Sequence, residues 1–282
     1  MPLEVKQLHC PNCGGGLEVK NAQRAKSIVC QSCGSQIDLA RPEYGIIGRS
    51  ILNSAPPRTP IELGMWGEFD GQRYQAIGRV RYREEEYMWD EWLLMTEDGQ
   101  FKWLTEGEKG FTLYESFVPR NPVDPVSVRD SVNLEGTSAE VGDKGVGRID
   151  YLEGELTWRA TVGDEVNYLD AEFPGGRYSI EWTPDEVEFF RGKNLSDNEV
   201  RRAFGLPEVA TPSILEKLRA ALTVRTAVIV AVVLVIVCVC CVAAAVAPSS
   251  TSSSSFGMPS IRTSSSGGSS FSGGGSSGGG GK

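Results

Sequence analysis

Two Cys-x-x-Cys pairs open this 282-residue chain: Cys10-Pro-Asn-Cys13 and Cys30-Gln-Ser-Cys33, each followed by glycine, with sixteen residues between Cys13 and Cys30. A two-residue gap lets both thiolates of a pair turn onto one ion, and the trailing Gly14 and Gly34 permit the positive φ such a turn requires. Four sulfur ligands suit tetrahedral Zn²⁺. With all four places filled by Cys10, Cys13, Cys30 and Cys33, no position is left for a reactive water, so the zinc is expected to be structural. A redox dithiol or a pair of disulfides are the competing chemistries. Two matched pairs argue against the first. The opening MPLEVKQLHC lacks the apolar core of a signal peptide, which places these thiols in a reducing cytosol and argues against the second. The only histidine, His9, adjoins Cys10 and is read as a neighbour rather than a ligand.

Other chemistry is sparse. Without a second histidine there is no His-based triad or general base in the body of the chain, and no Walker-type phosphate loop occurs. Glu84-Glu85-Glu86 with Asp90-Glu91 reads either as a hard-cation site or as a solvated acidic loop. Trp66, Tyr74, Tyr82, Tyr87, Trp89, Trp92 and Trp103 crowd one stretch. Some belong to a core. Tyr87 and Trp89, flanked by charges, are the candidates for contact with a partner. From Pro42 to Ser213 there are 33 acidic and 18 basic residues (18 − 33 = −15), against −9 for the whole chain. Such a body repels nucleic acid and anionic lipid. The cysteine-rich segment sets Lys6, Lys20, Arg24, Lys26 and Arg41 against Glu4, Glu18 and Asp38 and has no aromatic residue for base stacking before residue 42, so nucleic-acid binding is disfavoured.

The elements that position these residues read as strands. Residues 1–41 form a zinc ribbon, with Leu17-Glu18-Val19 and Ser27-Ile28-Val29 as strands. Residues 42–118 and 119–206, separated by a break at Pro119, Pro122 and Pro125, read as two antiparallel β lobes. Asp98-Gly99 predicts a hairpin between Trp92–Met95 and Phe101–Leu104, and Pro174-Gly175-Gly176 predicts another. An internal repeat pairs Glu62-Leu63-Gly64 with Glu140-Val141-Gly142, and Gly99-x-Phe101-x-Trp103 with Gly176-x-Tyr178-x-Ile180. Ser196-Asp197-Asn198-Glu199 has the capping-box pattern and predicts a short helix after it.

Beyond the lobes, residues 213–247 read as a juxtamembrane and transmembrane helix. Thr226 to Ala247 carries no charge and at 1.5 Å per residue spans about 33 Å. Cys238, Cys240 and Cys241 within it read as small packing residues. Lys217, Arg219 and Arg225 flank its N-terminal side, so the expectation is a single-pass protein with its N-terminus in the cytosol and the tail, residues 248–282, outside. That tail is Ser/Gly-rich and reads as disordered.

Cys-Pro-x-Cys-Gly, Tyr74-x-x-Ile77-Gly78-Arg79, Trp89-Asp90-Glu91-Trp92-x-Leu94, Gly99-x-x-x-Trp103-Leu104, Gly154-Glu155-Leu156, Tyr168-Leu169-Asp170 and Phe190-x-Gly192 together resemble bacterial proteins of the domain-of-unknown-function family numbered 4178, over about residues 1–206. The resemblance implies a β-rich fold that often carries a zinc ribbon. It also implies a setting linked to membrane or envelope stress, and it assigns no activity and no catalytic residue. The expectation is thus a mainly β, zinc-binding, membrane-anchored binding or scaffold protein that faces the cytosol, with the bilayer and a protein as partners and no small-molecule substrate identified. Two alternatives stand beside it: an enzyme using carboxylates of the β domain, and nucleic-acid binding through the ribbon.

Overall fold

The computed structural model describes residues 4–210 except 108, 109 and 185. Five short strands come first: β1 (Lys6–His9), β2 (Gly16–Val19), β3 (Ser27–Val29), β4 (Ser35–Asp38) and β5 (Ile46–Arg49). β1 and β2 form the first hairpin of the ribbon, and β3, β4 and β5 form the second sheet. Ten further strands follow: β6 (Trp66–Phe69), β7 (Gln72–Glu84), β8 (Tyr87–Met95), β9 (Phe101–Gly107), β10 (Gly110–Ser116), β11 (Ser131–Leu134), β12 (Thr137–Leu156), β13 (Glu165–Phe173), β14 (Gly176–Trp182) and β15 (Val187–Leu195). Helix α1 (Asp197–Ala203) closes the described chain, with the Ser196–Glu199 capping box in place as the sequence predicts. Both expected hairpins form, β8–β9 around Asp98-Gly99 and β13–β14 around Pro174-Gly175.

The two expected lobes do not exist as separate bodies. Strands β7–β8–β9–β10 form one antiparallel meander and β12–β13–β14–β15 another. The free edges of the two meet, β10 on β15 and β7 on β12, and close a single eight-stranded barrel. A four-stranded meander exposes two unpaired edges, and closure removes all of them at once. Local turn signals specify each meander but not the partner of its edges.

The repeat is nevertheless present in the fold. β6 leads into β7 through Asp70-Gly71, and β11 leads into β12 through Glu135-Gly136, with positive φ at all four residues. The turns lie 65 residues apart (135 − 70). The register breaks that follow, between Ala76 and Gly78 in β7 and between Val141 and Asp143 in β12, show the same offset (142 − 77 = 65 for the bulged residues). The Gly99 and Gly176 marks also fall at equivalent hairpins. Glu62-Leu63-Gly64 precedes β6, whereas Glu140-Val141-Gly142 lies inside β12, so that pair of marks is not equivalent.

Much of the barrel's outer face is apolar, and a smaller apolar cluster of Ile77, Leu93 and Met95 lies on the inward face at the ribbon end. Trp92, Leu94, Leu104 and Leu113 pack beneath Ile61, Phe69, Val200 and Phe204, so that β6 and α1 cover one half. Leu169, Ala171, Tyr178 and Ile180 pack beneath Val132, Leu134 and Phe117, so that β11 and the segment before it cover the other. Because strand side chains alternate, the residues between these point into the lumen.

The membrane expectation is corrected. Among the described residues no helix is long and apolar enough to cross a membrane; α1 has seven residues. The segment 213–247, with Lys217, Arg219 and Arg225, and the tail 248–282 lie outside the described residues. The single-pass assignment rested on hydropathy and flanking charge alone. No element among the described residues carries it.

Candidate functional site

The four cysteines converge as the spacing requires. In each turn the first cysteine both donates and accepts: Cys10 N–H to Gly15 O (2.8 Å) and Gly14 N–H to Cys10 O (2.9 Å), then Cys30 N–H to Ser35 O (2.9 Å) and Gly34 N–H to Cys30 O (2.8 Å). Gly14 and Gly34 carry φ of +73° and +75°. The Sγ atoms of Cys10 and Cys33 are 3.7 Å apart, as are those of Cys13 and Cys30, and all four lie within 4.8 Å of one another. A tetrahedron with metal–sulfur bonds near 2.3 Å has sulfur–sulfur edges of about 3.8 Å, whereas a disulfide requires about 2.05 Å. The cluster is therefore metal-sized and not disulfide-bonded. Cys33 is held down to about 5, first by the Ser35 hydroxyl, then by the Ser35 amide and the Asn12 side chain, which favours its thiolate. His9 is exposed on β1 opposite Gly16 and is not one of the four.

The ribbon is joined to the barrel. β3 pairs with the end of β12 at Ser27–Leu156 and Ile28–Glu155. The buried Glu155 carboxylate accepts the Lys20 N–H at 2.6 Å and the Asn21 N–H at 3.3 Å. The ribbon's cations are mostly spoken for: Lys6 meets the Tyr44 hydroxyl, Lys20 pairs with Glu18, Arg41 with Asp38, and Arg24 lies over the Phe101 ring. They do not form a free basic stripe.

The barrel lumen holds two joined cavities of about 490 and 430 Å³. Tyr82, Glu91, Thr105, Tyr114, Val166 and Glu181 border both. The first opens at a mouth bearing Tyr87, Asp143, Tyr168 and Glu172. The second ends at Arg24, Lys26, Trp103, Trp158 and Glu186, where a ribbon segment supplies part of the wall. Tyr87 and Trp89, expected at an outer surface, are half-buried in the lumen wall. Trp89 stacks between Tyr82 (5.3 Å between centroids) and Tyr87 (5.5 Å), and meets Tyr168 edge-on. Its indole N–H donates to Glu91 at 3.0 Å. Gly147 is the residue that admits the ring: a Cβ there would lie 2.8 Å from Trp89 Cη2.

The lumen's carboxyls are raised by their surroundings. Glu91 is lifted to about 7 by loss of water, against the Trp89 hydrogen bond that lowers it, with Asp170 and Asp90 adding repulsion. Glu181 is raised well above the usual range by the same desolvation and then by Glu91, Glu188 and Asp170. Asp170 is also raised by burial, although Ser179 and Arg177 partly restore its charge. Mutually repelling carboxyls in an enclosed space are typical of functional clefts.

Trp89, Asp90, Glu91 and Trp92 divide by alternation. Trp89 and Glu91 face the lumen, and Trp92 enters the outer core. Asp90 points outward and accepts Arg79 Nε (3.0 Å), Arg81 Nε (2.9 Å) and Arg81 Nη2 (2.6 Å). Arg79 is itself buried, with Glu153 at 2.9 Å and the Ala55 carbonyl as further partners. The acidic run therefore does not gather around one cation. Glu84 turns to the Val146 N–H and the Tyr168 hydroxyl, while Asp90 and Glu91 lie on opposite faces of β8. Sequence reasoning missed Asp170, Arg177 and Glu181. Their signal was alternation along β13 and β14, legible only once the lumen face was known.

Residues 62–197 match the family model described as Domain of unknown function (DUF4178). No match was found among curated proteins or among solved structures.

Proposed function

We propose that this chain, whose residues 62–197 belong to that domain family, is a binding protein that encloses one small molecule in its barrel lumen. One observation carries the reading: beyond the apolar cluster of Ile77, Leu93 and Met95 at the ribbon end, the barrel interior is open and lined mainly by carboxyls, hydroxyls and aromatic rings. A barrel built only for stability would fill its centre with aliphatic side chains. Desolvating carboxyls costs stability unless a partner group compensates them. The first cavity lies within the few hundred to about a thousand Å³ usual for ligand sites. Tyr87 and Trp89 then act as lumen wall rather than as anchors for a protein partner.

The four-cysteine cluster is read as a structural Zn²⁺ site. Its donors are all sulfur, its spacing is tetrahedral, and no ligand position is left for chemistry. The ion would hold the turns from which residues 20–26 reach the barrel.

The test is native mass spectrometry of the full chain purified from its own cells. The expected result is a small molecule retained with the folded protein and lost in Thr105→Trp, which fills the space bordering both cavities. Retention of the same molecule by Thr105→Trp, with its fold intact, would place the binding elsewhere.

A further inference from the structure

The charge inventory of the lumen narrows the class of ligand. Glu91, Asp143, Asp170, Glu172 and Glu181 border the first cavity, against one cation, Arg177. Arg177 is already held by Glu172 at 2.5 Å and Asp170 at 3.6 Å. Glu91 has only the Trp89 N–H, and Glu181 has no side-chain hydrogen bond or ion pair among the described residues. An anion entering here would meet five carboxyls. A neutral molecule would leave the Glu181 carboxyl protonated and without an ionic partner. A cation would supply the missing partner, beside the edge of the Tyr82–Trp89–Tyr87 stack whose indole N–H already points at Glu91.

We propose that the lumen takes a small organic cation, an amine or guanidinium on a compact apolar body, with Glu181 and Glu91 as its counter-ions and Trp89 as its aromatic wall. This rests on the reading of the barrel as a small-molecule receptor and names what that receptor selects. The cation enters by the mouth carrying Asp143 and Glu172, which raises its local concentration. Arg177, fixed by Asp170 and Glu172, stands across the cavity and excludes a second positive group.

The protonation of the site is linked to occupancy. The groups facing Glu91 are Tyr82 on β7, Tyr114 on β10, Asp170 on β13, Arg177 and Glu181 on β14, and Glu188 on β15, with Arg24 and Lys26 at the far end. A bound cation favours the charged carboxylates. Protons therefore leave on binding, and affinity rises with pH through about 7.

The experiment is calorimetric titration of the full, zinc-loaded chain with benzylammonium and benzylguanidinium, and with benzyl alcohol and benzoate as neutral and anionic counterparts. It is run at two pH values and in buffers of different ionisation heat. The expected result is binding of at least one cation, weakened at least tenfold by Glu181→Gln, with net proton release at pH 7 and no binding of benzoate. Glu181→Gln replaces a buried carboxyl that its surroundings keep protonated with an amide of the same shape and should keep the melting temperature, so loss of binding is not loss of fold. A Glu91→Gln variant should lessen the proton release, the remainder coming from Glu181. If benzyl alcohol binds as well as benzylammonium and Glu181→Gln changes neither, the cation is overturned while the receptor reading stands. If neither cation binds, the proposal is overturned outright, and the receptor reading is judged by the molecule retained on purification.

Discussion

Asp90→Ala tests whether the buried charge cluster on the outer face of β8 holds the barrel's first two strands together. Asp90 takes three hydrogen bonds at 2.6–3.0 Å from Arg79 and Arg81, and its side chain and that of Arg79 are 3% and 2% exposed. Removing one member of a buried ion pair costs about 3–5 kcal/mol, because the remaining charge stays desolvated. Arg79 keeps Glu153 at 2.9 Å and the Ala55 carbonyl, and Arg81 keeps the Pro56 carbonyl, so the lower part of that range applies, about 3–4 kcal/mol. For a unit of this size each kcal/mol moves the melting temperature by roughly 2–4 °C, so a fall of about 6–16 °C is expected. Circular dichroism of the full chain measures it. Glu153→Gln is the control: its side chain is 23% exposed, and its loss should cost clearly less than that of Asp90. If Asp90→Ala melts within 2–3 °C of the parent, or above Glu153→Gln, the three short bonds contribute little and the cluster is not what ties β7 to β8.

Three further outcomes are expected. Metal analysis should give one Zn²⁺ per chain, lost in Cys10→Ser/Cys30→Ser. Limited proteolysis of that variant should then open the ribbon while the barrel's strand signal persists, since β3 meets β12 through only two paired positions. Ligand-free protein should gain stability as pH falls from about 8 towards 5. Glu91, Glu181 and Asp170 have folded values raised above their unfolded ones, so the folded state binds more protons in that window and the stabilisation is lost as pH rises. Glu181→Gln should flatten the profile seen by thermal scanning, and an unchanged slope would remove these groups as its source. Gly147→Ala should displace the Trp89 ring, which a Cβ would approach to 2.8 Å, at a cost of about 1–3 kcal/mol with a shift in tryptophan emission. Identical emission would mean that the ring does not lie against β12.

The turn chemistry of this protein is local, and the sequence determined it. The cysteine pairs with their trailing glycines, the Asp98-Gly99 and Pro174-Gly175 hairpins and the Ser196–Glu199 capping box each depend on residues within a few positions of one another. Each forms as its spacing dictates. The motif residues Arg79, Asp90 and Trp92, within the stretch that matches the domain model, lie on the paired strands β7 and β8. What lay beyond the sequence was long-range. Whether two meanders stand apart as lobes or close on each other is decided by which edges pair, β10 with β15 and β7 with β12, and hydrogen bonds between such distant strands leave no local mark. Closure also decides which face of each strand is inside. Alternation separates Trp89 and Glu91 from Asp90 and Trp92 but is symmetric between lumen and exterior. The sequence placed aromatic residues and acids on one face of β8 without saying whether that face meets solvent, a partner or a cavity. Only the covering of the opposite face by β6, α1 and β11 settles it, because apolar side chains from elements far apart in the chain bury the outer surface and leave the more polar one to line the interior.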